Sequence, residues 1–172
     1  MNKSVLLTLA ACCWFTQTGC GPGMIVKRVF SEAKGASSEA KVIPGSINTR
    51  FKAYRGIRVA APRTQLGGLV TTDFQAALRQ QLRERLAKED DAPFPGGEPH
   101  LTIQSQVMWY DGEGGGLLGS DAYAVVLFEL FDGEKRLGKV QVVTRSAASR
   151  TDDEAMAKSM SKELAEWFED EG

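Results

Sequence analysis

The residues best suited to chemistry lie in a glycine-rich stretch that runs from Asp111 to Asp121 and reads DGEGGGLLGSD. Bare backbone amides in such a stretch can approach a phosphate group closely. However, a dinucleotide-binding loop needs a helix after the glycines, and a Walker loop needs Gly-Lys-Ser or Gly-Lys-Thr. Here a strand pattern follows the glycines, and neither tripeptide occurs. We therefore predict a flexible loop between two antiparallel strands.

Three carboxylates of this stretch, those of Asp111, Glu113 and Asp121, could together bind calcium, which prefers carboxylate oxygens. Their spacing matches no EF-hand loop, so solvated surface carboxylates are the expected state. Leu117 and Leu118, among the glycines, are either tucked over the edge of the sheet or exposed to a partner or a membrane. This pair is the candidate contact loop of the chain. No metal site and no cofactor are predicted.

Side chains suited to catalysis are scarce. His100 is the only histidine of the sequence, and one histidine without a neighbouring cysteine cannot form an ordinary zinc site. No serine lies in a Gly-x-Ser-x-Gly elbow, and nothing around His100 suggests a catalytic triad. Arg145 and Arg150 could meet an anion, although solvated surface arginines are the ordinary case. We therefore predict no catalytic residues, and a hydrolase is the weakest functional class.

The cysteines indicate where the chain goes, because Cys12, Cys13 and Cys20 all fall within the first 20 residues. They accompany a short polar start with one positive charge, at Lys3, and an uncharged, mostly apolar run over Val5–Phe15. This is the pattern of a secretory signal peptide. The run is shorter than the roughly 20 apolar residues that a transmembrane helix needs. We therefore expect the chain to be exported.

The end of the apolar run resembles the lipobox of bacterial lipoproteins, in which a small residue precedes the cysteine that receives diacylglycerol. Gly19 before Cys20 fits this pattern, whereas Gln17 departs from it. A second match ends at Cys12 and is closer in its letters, but it leaves an apolar run at the lower limit of roughly 7–15 residues. Cys20 is therefore the preferred site of lipid attachment, Cys12 is the alternative, and residues 1–19 are the predicted signal peptide.

The resemblance implies a membrane anchor at the new N-terminus. Cleavage before Cys20 would leave 153 of the 172 residues and a single cysteine, whose acylation would cap a thiol that is a liability in an oxidising compartment. Lipoproteins of this kind carry several acyl chains, palmitate among them, and more than one chain gives stable anchoring. Gly21 stands where an aspartate would suggest inner-membrane retention. We therefore expect a periplasm-facing protein in the bacterial cell envelope, with the outer membrane favoured over the inner.

The composition fits one folded domain behind this anchor, since hydrophobic residues make up 42% and charged residues 25% of the chain. Lys and Arg number 21 and Asp and Glu number 22, a balance that excludes a strongly basic nucleic-acid binder. Met24–Ala33 permits a short helix, and Lys34–Ala40 is small, polar and predicted to be irregular. We place the anchor and tether at residues 20–41 and a single α/β domain at residues 42–172.

Hydrophobic patterns predict four strands in this domain: Arg55–Ala61, Leu101–Tyr110, Tyr123–Phe131 and Val140–Ala147. Phe51 and Tyr54 suggest a further short strand before them. The second strand alternates and should place on one face the residues Leu101, Ile103, Ser105, Val107 and Trp109. The third is apolar on both faces and is expected at the centre of the sheet. Asp132-Gly133 predicts a hairpin turn. Two positions stay open for the first strand, beside the second or beside the fourth.

Two amphipathic helices are predicted, each with one apolar stripe. The first covers Asp73–Lys88, starts with a Thr72–Gln75 capping box, and has a stripe formed by Phe74, Leu78, Leu82 and Leu86. The second opens at Thr151, where Glu154 completes another capping box. Its stripe contains Met156, Met160, Leu164 and Trp167 or Phe168. The two methionines are therefore interpreted as core residues and not as metal ligands.

The order β-α-β-β-β-α predicts an α+β fold, a two-layer sandwich in which both amphipathic helices cover one face of a mixed, mainly antiparallel sheet. This order resembles that of small bacterial envelope lipoproteins with a cysteine anchor and a glycine-rich loop inside the meander. The likeness is carried by Tyr54–Val59, Leu101–Ile103, Gly112–Gly119, Asp132–Gly133 with Leu137–Lys139, and the closing helix. It implies a distant fold likeness to the curli-secretion lipoprotein and to the N-terminal domain of the Tol system, and it specifies no reaction.

Two functional hypotheses stand ahead of the hydrolase. The first is a non-enzymatic lipoprotein of interaction or structural type that contacts an envelope protein or peptidoglycan. The second is a lipoprotein that binds a small ligand with the glycine-rich loop at residues 111–121. In both, the membrane is reached through the N-terminal lipid and no nucleic acid is a partner.

Overall fold

The computed structural model of the protein describes residues 36–43, 51–112, 121–146 and 152–171. These residues form one mixed sheet of six strands and two long helices. The strands are β1 (Ala36–Val42), β2 (Gly56–Val59), β3 (Arg63–Thr64), β4 (His100–Asp111), β5 (Ala122–Asp132) and β6 (Lys135–Ser146). The helices are α1 (Thr72–Ala87) and α2 (Asp153–Glu171). Short 3-10 helices at Phe51–Ala53 and Gly67–Leu69 precede β2 and α1.

The sheet is built on the antiparallel meander of β4, β5 and β6. β1 pairs antiparallel with β6, whereas β2 and β3 pair parallel with β4, which gives the order β1-β6-β5-β4-β2. The first predicted strand therefore pairs with the second, and β5 lies at the centre as its apolar pattern indicated. The predicted hairpin turn is also confirmed. Gly133 adopts a φ of 58° there, a left-handed conformation that favours glycine.

Both helices pack on the same face of the sheet and against each other. Alternate residues of the central strands are buried on that face: Leu101, Ile103, Val107, Ala124, Val126, Phe128, Val140 and Val142. The predicted stripes of α1 and α2 lie opposite them and are almost fully buried. Each large apolar side chain buried in this way contributes about 1.5–3 kcal/mol. This burial holds the helices on the sheet, and the two-layer α+β sandwich is confirmed.

The prediction of an irregular segment at Lys34–Ala40 is wrong for its described part, because Ala36–Val42 is strand β1. Its inward side chains are small, so α2 can lie close above them. Ser38 Oγ lies 2.8 Å from Ser159 Oγ of that helix, and the Ala40 amide donates to Glu163 Oε1 at 2.9 Å. The segment therefore belongs to the sheet and not to the tether, although it lacks the β-branched residues typical of strands.

The predicted face of Trp109 is also wrong. The register of β4 against β5 shifts between Val107 and Trp109, so that Met108 is an extra residue in a β-bulge. Beyond the bulge Trp109 pairs with Val125 on the face away from the helices and is 56% exposed. Tyr110 takes the inward position and stacks on Phe74 of α1, with 4.8 Å between the ring centroids. Strict alternation misses this, because one bulge exchanges the two faces.

The helix starts differ from the predicted capping boxes. Thr71, one residue before the predicted Thr72, is the N-cap of α1, and its hydroxyl accepts from the Phe74 amide at 3.0 Å. At α2 the Asp152 carboxylate accepts from the Ala155 amide at 2.7 Å. Thr151 lies outside the described residues. The short strand suggested at Phe51 and Tyr54 is wrong, since Phe51–Ala53 is a 3-10 helix.

Several predictions fall on residues that the structure does not describe: the signal peptide with Cys12 and Cys20, the short helix at Met24–Ala33, and the loop residues Glu113, Leu117 and Leu118. Arg150 lies outside the described ranges as well. Within those ranges, neither long helix combines the length and the apolar character needed to cross a membrane.

Candidate functional site: an acidic cleft at one end of the sheet

A cleft of about 740 Å³ opens at the end of the sheet where β4 finishes. Its described lining consists of Gly68, Leu69, Thr71, Tyr110, Asp111, Gly112, Asp152 and Asp153. Three of these eight residues are aspartates, so the cleft is acidic. We use the name acidic cleft for this set of residues.

The topology brings the end of β4 and the N-termini of α1 and α2 together at this cleft. β4 and β6 both pair antiparallel with β5 and therefore run in the same direction, so α2, which follows β6, starts near the end of β4. β2 and β3 are parallel to β4, so α1, which follows them, starts at the same end. The N-termini of both helices therefore lie close to the last residues of β4.

One carboxylate ties these three elements together. Tyr110 at the end of β4 donates its hydroxyl proton to Asp153 Oδ1, and Thr71 before α1 donates to Asp153 Oδ2 at 2.7 Å. The Thr71 hydroxyl also accepts from the amide of Phe74, whose ring stacks on Tyr110. Asp153 is in the first turn of α2, where the helix dipole favours a negative charge. The hydrogen bonds therefore fix the strand end against both helix starts.

The environment keeps Tyr110 protonated. The pKa of Tyr110 is raised from 10.0 to about 12. Burial of the hydroxyl is the main cause, and the hydrogen bond to Asp153 is the second. Tyr110 is therefore a hydrogen-bond donor at neutral pH and not a base or a nucleophile. With the carboxylates of Asp111 and Asp152 beside it, the cleft is suited to bind a cation or a ligand rich in hydrogen-bond donors.

The residues singled out in the sequence are distributed unequally around this cleft. Asp111 lines it, whereas Asp121 forms an ion pair with Arg145 at 2.5 Å. Among the described residues no three His, Cys, Asp or Glu side chains are grouped to hold a metal ion. His100 begins β4 at the opposite end of the strand, where a Cβ added to Gly56 would touch its ring. The structure does not bring His100 to the cleft.

Sequence reasoning missed the three residues that build the network, Thr71, Tyr110 and Asp153. Thr71 directly precedes the predicted capping box at Thr72, and Asp153 follows the predicted helix start at Thr151 by two residues. Strict alternation along β4 would place Tyr110 on the face opposite Leu101, and the bulge reverses this. The hydrogen bonds join residues 82 and 43 positions apart, and nothing in a local pattern indicates such contacts.

Four exposed apolar side chains also lie at this end of the fold. Leu69 is 72% exposed, Trp109 56%, Met108 48% and Tyr123 36%. Leu69 lines the cleft, Met108 and Trp109 precede the last two residues of β4, and Tyr123 is the second residue of β5. Leu69 therefore lies on the helix side of the sheet, whereas Trp109 lies on the face away from the helices.

The fold is similar to that of solved structures of PelC from Paraburkholderia phytofirmans. A PelC dodecamer structure matches 74% of this chain and 94% of that chain, with 14% sequence identity and a TM-score of 0.50. A second dodecamer structure, of a PelC point variant, matches 75% and 93%, with 15% identity and a TM-score of 0.49. No protein-family model matches this chain, and no curated protein matches it. At such low identity the first of these likenesses describes the fold alone.

Proposed function

We propose that this protein is a non-enzymatic lipoprotein of the bacterial cell envelope, anchored through Cys20, that faces the periplasm and contacts another envelope component. The anchor is supported by Lys3, the apolar run over Val5–Phe15, and a single cysteine after the cleavage position. The residue that follows, Gly21, favours the outer membrane.

The observation that carries the interaction role is the sheet face away from the helices. Within the described residues both helices lie on the opposite face, and the side chains of Val125, Leu127 and Val143 on this face are only half-buried. The charged residues around them are paired within the chain, since Glu129 lies 2.7 Å from Lys139. An apolar centre with a polar, self-neutralised surround has the anatomy of a protein interface.

Radiolabelled palmitate tests the anchor. We expect the wild type and the Cys12→Ala variant to take up the label and to sediment with membranes, and the Cys20→Ala variant to do neither. A Cys20→Ala variant that still carries label would contradict the assignment to Cys20. Separating inner and outer membranes in the same experiment tests the localisation.

Crosslinking of intact cells followed by purification of the protein tests the interaction. Leu127→Lys places a charge in the centre of the face and should lose a specific crosslinked partner. Gln106 is opposite Leu127 in the sheet, so Gln106→Lys is a control on the same rung and the same face. If both variants lose the partner equally, or if both keep it, there is no apolar contact at this position.

The candidate contact loop has its own test. If Leu117 and Leu118 are exposed for contact, the Leu117→Ser, Leu118→Ser double variant keeps its melting temperature and loses the partner. If they are tucked over the sheet edge, the melting temperature falls, because two apolar side chains leave the core.

A small-ligand-binding lipoprotein is the second candidate function, and the acidic cleft favours it. Asp111 and Gly112, the first residues of the glycine-rich loop, line this cleft. Native mass spectrometry of the purified protein should then show a bound cationic or hydroxyl-rich molecule, which Asp111→Asn, Asp152→Asn removes. Asp132→Asn, far from the cleft, is the control. Calorimetry with calcium tests the simplest ligand, and absence of heat would dispose of calcium.

A further inference from the structure

The two edges of the sheet are built differently in the part of the chain that the structure describes. One edge is formed by β2 and β3, which have four and two residues and are separated by Pro62, so it offers no long row of backbone groups. The other edge is β1, which has seven residues, no proline and an unshifted register against β6. Its two charged side chains neutralise each other, because Lys41 Nζ lies 3.2 Å from Glu39 Oε1. β1 is therefore the edge to which a strand of another molecule could add.

Alternate residues of β1 direct their backbone groups away from the sheet. In an antiparallel pair, residues that exchange hydrogen bonds with the partner strand alternate with residues that do not. The Ile43 amide donates to the Lys139 carbonyl of β6 at 3.1 Å, and the register is unshifted, so the odd-numbered residues of the strand face β6. The N–H and C=O groups at the outer edge therefore belong to the even-numbered residues Ala36, Ser38, Ala40 and Val42.

Side chains of α2 occupy two of these edge groups. The Ala40 amide donates to Glu163 Oε1 at 2.9 Å. The Ser159 hydroxyl donates to the Ala36 carbonyl at 3.2 Å. Ser159 and Glu163 are four residues apart, so they lie on one face of α2 and reach the same edge. A strand added to β1 would need the same backbone groups, and the carboxylate would repel its carbonyl oxygens.

The small side chains of β1 allow α2 to come this close. Ala36, Ser38 and Ala40 are the residues of β1 that lie under the helix. Ser38 Oγ is 2.5 Å from Thr144 Oγ1 of β6 and 2.8 Å from Ser159 Oγ of α2. Branched side chains would favour a strand but would fill this space and hold the helix farther from the edge. The weak strand propensity of β1 is therefore what lets side chains of α2 reach its backbone.

We propose that α2 protects the β1 edge, chiefly through Glu163, from pairing with β1 of a second copy of this chain. Identical strands can pair antiparallel about a two-fold axis, which would join two sheets into one. Such pairing requires each copy to release its Ala40 amide from Glu163. The inference goes beyond the proposed function, because it depends neither on the lipid at Cys20 nor on a partner at Leu127.

Sedimentation equilibrium of the full chain, purified in a detergent of matched density, measures the association between copies. Glu163→Ala should strengthen association about tenfold per copy, and about 100-fold for a symmetric pair, because pairing no longer breaks a hydrogen bond to a charged group. Glu163→Gln keeps an oxygen that can accept from the Ala40 amide and should stay close to the wild type. Glu166→Ala is the matched control, since Glu166 is an exposed carboxylate of α2 that lies 3.5 Å from Lys162.

A second substitution tests whether the copies meet at this edge. Proline has no N–H to offer an added strand and is tolerated at sheet edges, so Glu163→Ala with Ala40→Pro should lose the gain in association. Melting curves show which variants are folded. If Glu163→Ala does not fold, Ser159→Ala leaves the Ala36 carbonyl without its α2 donor and should give a smaller gain in the same direction.

Two results would overturn the protection of the edge. The first is association of Glu163→Ala no stronger than that of Glu166→Ala. The second is a gain in association that Ala40→Pro leaves intact, because the copies would then meet at another surface. Neither result concerns the anchor or the envelope partner, whereas missing palmitate label or a missing crosslinked partner would be a failure of the proposed function alone.

Discussion

Replacing Tyr110 by phenylalanine removes the hydroxyl that donates to Asp153 and keeps the ring that stacks on Phe74. The carboxylate loses one of two hydrogen bonds from side chains and keeps the one from Thr71. The hydroxyl also has a hydrogen bond with Thr71, so the variant removes the contacts of this one group without creating a cavity. We expect the fold to persist, with the end of β4 held less tightly against the starts of α1 and α2.

The magnitude follows from the charge of the acceptor. A hydrogen bond to an ionised group contributes about 1.5–3 kcal/mol to stability. Asp153 is only half-buried, so water can replace part of the lost interaction, and the lower limit of about 1.5 kcal/mol is expected. For a domain of this size that corresponds to a fall in melting temperature of about 3–6 °C.

A double-mutant cycle isolates the contact. The free energy of unfolding is measured by urea denaturation for the wild type, Tyr110→Phe, Asp153→Ala and the double variant. The cycle cancels the other effects of Asp153→Ala, such as the lost bond from Thr71. We expect a coupling free energy of about 1.5 kcal/mol.

The opposite end of the sheet offers a matched control. Tyr54 donates to Asp132 Oδ2 at 2.9 Å, but Asp132 is exposed. Its cycle should give less than about 1 kcal/mol, because water competes for an exposed carboxylate. A coupling at Tyr110–Asp153 below about 0.3 kcal/mol, the usual limit of additivity, would refute the role of this hydrogen bond.

Three further predictions concern stability. Burial, with added hydrogen bonds to carboxylates, raises the pKa of both Tyr54 and Tyr110 to about 12. Their contribution is therefore complete below pH 10, the unfolded value, and is lost as the pH rises toward 12; tyrosinate absorbance and urea midpoints over this range check it. Gly56→Ala should destabilise by about 1–3 kcal/mol, since its Cβ meets backbone, whereas Gly68→Ala, with open space around it, should change the urea midpoint little. Met160→Ala should cost about 2–5 kcal/mol in the same assay, because Met160 is fully buried between helix and sheet.

Much of the fold was predictable because its signals are local. The stripes of α1 and α2 repeat at helical spacing, and the structure buries the residues that this spacing selected. β5 is apolar on both faces and is central for that reason. The Asp132-Gly133 turn needs glycine at a left-handed position. This signal is local, because the turn is recognised from its own residues and from the two strands that flank it.

Strand β1 could not be predicted, because its small polar residues become a strand only by contact. Ser38 and Ala40 lie between β6 and α2, and their partners are more than 100 positions away in the chain. The small and polar residues of this segment do not predict a strand by themselves, because their partners in α2 cannot be recognised from the local sequence. The strand therefore depends on tertiary packing and not on its own propensity.

The sequence by itself determined the number and type of most elements, the anchor hypothesis at Cys20 and the absence of a recognisable catalytic motif, since each follows from residues close together in the chain. The tertiary structure decided the bulge at Met108, the exposure of Trp109 and the acidic cleft. The physical reason is that these features depend on contacts between residues far apart in the sequence. Thr71, Tyr110 and Asp153 meet only because strand order and helix direction bring the end of β4 and the starts of α1 and α2 to one place.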